Sequence, residues 1–313
     1  DVERIRMPAA ETLAGSIAFE LQTGSITRRR PPGGRNSIKR MLKRENRVRE
    51  LAGTIVDLRR YSPDNWAHML LYLVPIAELA RRRLKEPVTV VIPENTGGHI
   101  KTILEYFGFG VERTNSDVRG AVVHWEISNF DIMNSARRMI IGGMLDGLDE
   151  REVGKPPTPD RIYVSRKDCR RVVNEDEIAG ILAERGFTRL YAEELAPSEQ
   201  LRVIRNAKTI VAIHGAGLAP IGYAPVRSPD APLRILELMT PAVMNNWYRV
   251  MADQVGAAYV AVRGVIEPRH AREGARIDRI YGKHCDRDFR VDPVSLTIAL
   301  DLVADAPVNR PGG

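Results

Sequence analysis

From residue 160 onward, short runs rich in β-branched and aromatic residues alternate with stretches whose apolar residues recur every three to four positions. The runs are RIYVS (161–165), TRLYA (188–192), TIVAIH (209–214), RILELM (234–239) and AYVAV (258–262), spaced about 20 to 27 residues apart. Between the first two, NEDEIAGILAERGF places Ile178, Ile181 and Leu182 on one helical face and stops at Gly186. Strands separated by helix-length crossovers make a parallel sheet, so this half is expected to be a Rossmann-like layer structure. The N-terminal half follows the same grammar. TIVDL (54–58), VTVVIP (88–93) and AVVHWEI (121–127) read as strands, with helices near 65–84 and 99–106. Between the halves, DGLDEREVGKPPTPD (146–160) is rich in Pro and charge and has the look of a linker, which sets a boundary near residue 155. VSLTIALDLVAD (294–305) predicts a terminal helix. The expected division is a basic segment over 1–50, one Rossmann-like domain over 51–155 and a second over 156–313. The fold class is α/β with two parallel sheets, and no repeated motif points to a solenoid.

Composition sharpens one part of this picture. The 313 residues carry a net charge of +7, but residues 27–50 alone hold 10 Lys+Arg against 2 Asp+Glu. The rest of the chain is nearly neutral, which argues against a body wrapped in basic surface for nucleic acid. In the basic segment Ile38, Met41, Leu42 and Val48 give a partial apolar face to a Lys/Arg-rich helix. That pattern predicts contact with an anionic membrane surface, and a solvated arm has the same composition. Two cysteines, Cys169 and Cys285, are too few for a disulfide framework and lack zinc spacing. No Asn-x-Ser/Thr acceptor occurs, the first residues lack a signal peptide's apolar core, and the longest apolar run, 66–77, is too short to span a bilayer. The expected location is the cytoplasm, with peripheral attachment to the inner membrane.

Candidate chemistry concentrates at strand ends. TIVAIHGAGLAPIG (209–222) runs from a strand into His214, Gly215, Ala216 and Gly217, where the chain is expected to turn into a helix. Small residues at such a turn let backbone N–H groups approach an anion, and the helix end adds positive potential. A tight turn that needs only small residues is the plainer reading. The sixth position, Pro220, departs from the dinucleotide fingerprint and argues against a dehydrogenase. SRKDCRRVVNEDE (165–177) opens on the same sheet edge, with Arg166 and Arg170 four apart and Lys167 and Arg171 beside them. Guanidinium forks grip phosphate oxygens, so the pair suits a diphosphate; a solvated charged loop ahead of a helix capped by Asn174 is the alternative. Glu237, near the end of a later strand, is placed either to accept from ribose hydroxyls or to form a rim ion pair. In the N-terminal half Asn65 and His68 open an apolar helix, and His68 has the side chain suited to general-base work near neutrality, or to simple packing at the helix start. Asp286 and Asp288 form a chance-level Asp-x-Asp, so no metal site is expected there. No Ser-His-Asp order or G-x-S-x-G elbow is present.

Taken in order, these motifs resemble glycosyltransferase family 61. The resemblance rests on Ser165, Arg166, Arg170, Asn174, Glu175, Glu199, Gln200, Ala207, His214, Gly215, Ala216 and Glu237, with Asn65 and His68 matching an N-terminal Asn-x-x-His helix. It covers roughly residues 52–265. It implies a GT-B architecture, two Rossmann-like domains facing a cleft, and inverting transfer from a nucleotide-sugar donor to a glycan or lipid-linked glycan acceptor. Within it Arg166, Arg170, His214, Gly215, Ala216, Gly217 and Glu237 hold the donor, Asn65 lies on the acceptor side and His68 is the candidate base. It further implies no cofactor and no obligate metal, and, for bacterial members, a place in capsule or lipopolysaccharide synthesis. Two other functions fit the same residues: transfer of a non-sugar group of the pyruvyl type onto a polysaccharide, and nucleotide binding without catalysis.

Overall fold

Runs of Val, Ile and Thr build the centre of two sheets, and helices with one apolar stripe cover them, as the alternation requires. The computed structural model describes residues 2–5, 17–27, 48–127, 141–243, 245–272 and 285–305. The chain divides into two units, Asp1–Ile140 and Ile141–Gly313.

In the first unit the strands are β1 (Val2–Ile5), β2 (Ile17–Thr27), β3 (Val48–Asp57), β4 (Val88–Ile92), β5 (Gly110–Arg113) and β6 (Asp117–Ile127). They lie in the order β1-β2-β6-β3-β4-β5. The last four of that order run parallel, with Ile55 beside Val122 and Val56 beside Val90, whereas β1 and β2 add an antiparallel margin on β6. Ile55, Val91, Val118 and Val122 make one buried face. Helix α1 consists of consecutive segments Trp66–His68, Met69–Leu73 and Val74–Leu84, the middle one a π turn. Every residue from Met69 to Ala80 is buried, so the expected apolar helix is a core element. Helix α2 is Gly98–Tyr106 and buries Ile100, Ile103 and Leu104.

The basic segment differs from expectation where it is described. Thr27 closes β2 and Val48 opens β3, so Val48 belongs to a strand and not to the apolar face of a helix. A β-branched residue leading a run that pairs with β6 is held by the ladder, and this overrides the weak helical pattern. Ile38, Met41 and Leu42 lie outside the described residues.

The second unit has five parallel strands, β7 (Arg161–Ser165), β8 (Thr188–Tyr191), β9 (Thr209–Ile213), β10 (Arg234–Met239) and β11 (Ala258–Arg263), in the order β11-β10-β9-β7-β8. Each coincides with a predicted run to within a residue. Its helices are α3 (Leu145–Glu150), α4 (Glu175–Glu184), α5 (Pro197–Asn206), α6 (Trp247–Gln254), α7 (Pro268–Arg272) and α8 (Pro293–Asp305). Tyr163, Val211, Leu236 and Val262 from the sheet pack on Ile178 and Leu182 of α4 and on Leu296, Ala299 and Leu300 of α8. Gly186 ends the α4 region with φ +79°, the left-handed geometry that favours glycine at a helix stop. The proline- and charge-rich stretch 146–160 is tied to α5. Arg202 reaches Glu152 at 2.8 Å and the carbonyl of Pro156, and Arg205 pairs with Asp149. Among the described residues no helix is long and apolar enough to cross a membrane.

Strand order locates the crevices. In open parallel sheets, ligands bind beyond the carboxyl ends of strands at the point where successive connections diverge to opposite sides. In the second unit β8 lies on one side of β7 and β9 to β11 on the other, so the crevice opens between β7 and β9. In the first unit β4 and β5 lie on one side of β3 and β6 on the other, so the crevice opens between β3 and β6.

Candidate functional site

The loop after β7 begins at Ser165, whose hydroxyl donates to Glu175 Oε1 at 2.7 Å, while the Tyr163 hydroxyl donates to Oε2 at 2.9 Å. Glu175 thereby ties the strand end to the start of α4. Burial, reinforced by the Glu175 charge, pushes the Tyr163 phenol far above its ordinary value and keeps it a neutral donor. Asn174 stands at the helix entry as expected. Its side chain, however, serves the loop that follows the sheet: Oδ1 accepts from Val291 N–H at 3.1 Å and Nδ2 donates to Val291 O at 2.9 Å, without capping the helix.

Between these anchors, Arg166 and Arg170 turn inward and Lys167 and Arg171 outward. Nη1 of Arg166 and Nη1 of Arg170 donate to the carbonyl oxygen of His214, at 3.4 and 3.3 Å. Arg170 holds φ +58°, an uncommon conformation for a residue with a side chain, and one that costs about 1 kcal/mol or more. Both guanidinium groups lie against Gly215: a Cβ there would stand 2.1 Å from Arg166 Nη1 and 3.7 Å from Arg170 Nη1. Any larger residue here would displace the Arg166 guanidinium. On their outer sides Arg166 donates to Asp168 and Arg170 to Asp286, at 2.5–3.1 Å. The two carboxylates are 64% and 65% exposed, the two arginines 22% and 15%. Pairs with so exposed a partner contribute about 0–1 kcal/mol, so a dianionic ligand can exchange for the carboxylates at low cost. Lys167 pairs with Glu194 and Arg171 with Asp288. Asp286 and Asp288 thus serve as partners of two arginines, and among the described residues no three His, Cys, Asp or Glu side chains form a group able to hold a metal ion.

His214 is 1% exposed and forms the centre of a buried chain. Its Nδ1–H donates to Glu237 Oε1, and Glu237 Oε2 accepts from the Tyr259 hydroxyl. The Asn245 amide closes the other side: Nδ2 donates to His214 Nε2 at 3.2 Å, and Oδ1 accepts from Trp247 N–H at 3.3 Å, which fixes the amide's orientation. The imidazole is therefore the Nδ1–H tautomer. Burial, then the Glu237 charge, push the Tyr259 phenol far above its ordinary value. Glu237, itself 1% exposed, spends both carboxylate oxygens inside the protein, where it orients the ring whose backbone carbonyl the arginines meet. Tyr248 of α6 donates to Gly215 O at 2.6 Å and braces the turn from beneath. The His214 N–H continues the sheet, donating to Leu238 O at 2.9 Å. Ala216 and Gly217 then begin the expected helix, which over Ala216–Tyr223 is of the 3-10 kind; Pro220 inside it lacks an N–H and excludes regular α pairing.

In the first unit, β3 ends at Asp57, which accepts a bidentate pair from Arg59 at 2.9 and 2.7 Å, both residues being buried. Arg59 also holds Ser116 O at 2.6 Å. The chain then passes through Tyr61 and Ser62, both left-handed, at φ +59° and +56°. Trp125 on β6 supports the turn: its Nε1 donates to Asp57 O at 3.0 Å and its ring meets Tyr61 at 5.5 Å. Asn65 Oδ1 accepts from His68 N–H at 3.1 Å and caps α1. The His68 Nδ1–H donates to Tyr61 O at 3.0 Å, so the lone pair of the neutral ring is on Nε2. The π turn follows directly, a distortion often found beside functional residues. His68 and Asn65 thus lie at the crevice of their own unit.

Asn245, Tyr248, Tyr259, Asp57, Arg59 and Trp125 do not stand out in the sequence. The aromatic cluster NNWY after β10 and the D-x-R at the end of β3 were the available signals, and neither has a spacing that specifies a contact.

No curated protein matches the chain. The sequence does match the glycosyltransferase 61 family over residues 40–228, more than half of its length. The chain belongs to that family and is a glycosyltransferase, an enzyme with a sugar donor and an acceptor as substrates.

Proposed function

We propose that this member of the glycosyltransferase 61 family transfers a sugar from a nucleotide-sugar donor to a hydroxyl of a glycan or lipid-linked glycan acceptor. The observation that carries the reading is the convergence of Arg166 and Arg170 on the His214 carbonyl beside Gly215, at the crevice of an all-parallel sheet. Two inward guanidinium groups in a fixed frame suit a diphosphate, whose charge grows as the bond to the sugar breaks; fixed donors aimed at developing charge usually contribute most of the rate enhancement in such sites. In this reading the donor lies along His214 to Gly217, and Glu237 acts through His214.

The acceptor oxygen attacks the anomeric carbon, the bond from that carbon to the diphosphate oxygen breaks, and the acceptor proton passes to His68 Nε2. One displacement inverts the anomeric configuration. The two units then work as a GT-B enzyme, with Asn65 and His68 on the acceptor side. Arg166 and Arg170 meet the leaving-group charge without an obligate metal, so turnover should survive a chelator. A cytoplasmic role in cell-surface polysaccharide synthesis, with the basic residues between Thr27 and Val48 on an anionic membrane, completes the proposal; co-sedimentation with anionic liposomes that is unchanged by deleting 28–47 would remove that last part.

The direct test is release of nucleoside diphosphate from a panel of nucleotide sugars in the presence of glycan acceptors, with products weighed by mass spectrometry. The expected product is heavier than the acceptor by one sugar. A gain of one pyruvyl group, or binding without transfer across the panel, would contradict it.

A further inference from the structure

A cavity of about 390 Å³ opens at the carboxyl ends of β10 and β11. Met239, Val243, Ala261 and Trp247 give it apolar walls, and Asn245 and Arg263 bring polar groups to its edge. Its volume falls in the range of small-molecule sites, which pair apolar walls with a few placed polar groups. All of these residues follow residue 228, where the family match ends.

We propose that this cavity is a subsite for a planar heteroaromatic ring, the base of the donor nucleotide; the assignment rests on the nucleotide-sugar reading above. Three observations lead there. Met239 and Arg263 are register partners at the ends of adjacent strands, and β10 neighbours β9, from which His214 follows. The cavity therefore lies about two strand spacings, roughly 10 Å, from the arginine pair, a separation that one pentose bridges between a base and its diphosphate. The lining offers a thioether and an indole for the faces of a ring and an arginine and amide for its polar edge, the combination that holds bases by stacking plus edge hydrogen bonds. Finally, Asn245 belongs to both places. It lines the cavity and donates to His214 Nε2 at 3.2 Å, so the base subsite and the diphosphate frame share a hydrogen bond. Arg263 is anchored through Nε on Pro241 O at 3.1 Å, and burial holds its guanidinium below its ordinary value.

The experiment compares dissociation constants of inorganic pyrophosphate with those of UDP, CDP, GDP and ADP, by titration calorimetry on the full chain. Wild type is set beside Ala261→Phe, which fills the cavity from an exposed strand position, and Arg263→Met, which keeps the length of the side chain and removes its donors. Wild type should bind at least one nucleoside diphosphate tenfold or more tightly than pyrophosphate. Both variants should lose that advantage while pyrophosphate stays within about twofold. A nucleoside diphosphate preference that persists in both variants would overturn the subsite alone. Wild type with no preference for any nucleoside diphosphate over pyrophosphate would overturn the subsite and the nucleotide-sugar reading together.

Discussion

Arg166 and Arg170 are joined through one atom: the carbonyl oxygen of His214 accepts from Nη1 of each, at 3.4 and 3.3 Å. Residues four apart in a loop, one in the left-handed conformation, reach this arrangement only because the chain after β9 brings a carbonyl to them and a glycine follows it. The frame is set before any ligand arrives, so little reorganisation is needed as charge develops.

Gly215→Ala tests that frame sterically. The new Cβ would lie 2.1 Å from Arg166 Nη1, so the guanidinium must move. Turnover should fall at least tenfold, about 1.4 kcal/mol, with a matching loss of nucleoside diphosphate affinity by calorimetry. Kinetics equal to wild type would show that the close approach has no role.

Glu237 should behave as a structural carboxylate. Glu237→Ala leaves the His214 imidazole and the Tyr259 phenol without their acceptor, at a cost of about 2–4 kcal/mol in urea unfolding, whereas Tyr259→Phe costs about 1 kcal/mol. Adding Tyr259→Phe to Glu237→Ala should cost little more, because the partner has already gone. Full additivity would place Tyr259 outside the chain.

His68→Ala should lower kcat by about 10²–10⁴ and leave nucleoside diphosphate affinity unchanged, the range expected for a lost proton acceptor. Affinity that falls together with kcat would assign His68 to donor binding.

The acid limb of stability has named contributors. The hydrogen bond from Arg171 holds Asp288 below the ordinary carboxylate range, and bonds from Ser295 Oγ and N–H do the same for Asp292 at the start of α8. A depressed folded-state value means stabilisation that is complete above the unfolded pKa, near 4, and is lost as pH falls through the lower folded value. Melting curves should therefore drop below about pH 4, and less steeply in Asp288→Asn. An identical acid limb in that variant would contradict the assignment.

The parallel strands were legible because a buried strand must be a short apolar run, and β7 to β11 are such runs. β5, Gly110–Arg113, was not, because none of its side chains is fully buried and its polar composition carries no period. The helix expected at Ala216 and Gly217 is present, and its 3-10 form follows from Pro220. Arg166, Arg170, His214 and Glu237 stood out by type and spacing. Their partners did not: Asn245, Tyr259 and Asp286 are brought in by contacts spanning 22 to 116 positions, and pairing at that range is set by packing. Likewise the sequence offered four cations in one loop and no means of telling the inward pair from the outward one.

That distinction gives the most direct test of the central claim. Nucleoside diphosphate binding should be titrated against four single variants, Arg166→Ala, Arg170→Ala, Lys167→Ala and Arg171→Ala. Losing an inward guanidinium removes a charged hydrogen bond of about 1.5–3 kcal/mol, so the first two should weaken binding about 10- to 150-fold. The last two, paired with surface carboxylates, should stay within about twofold of wild type. Four equal losses, or none, would contradict a diphosphate frame built by Arg166 and Arg170.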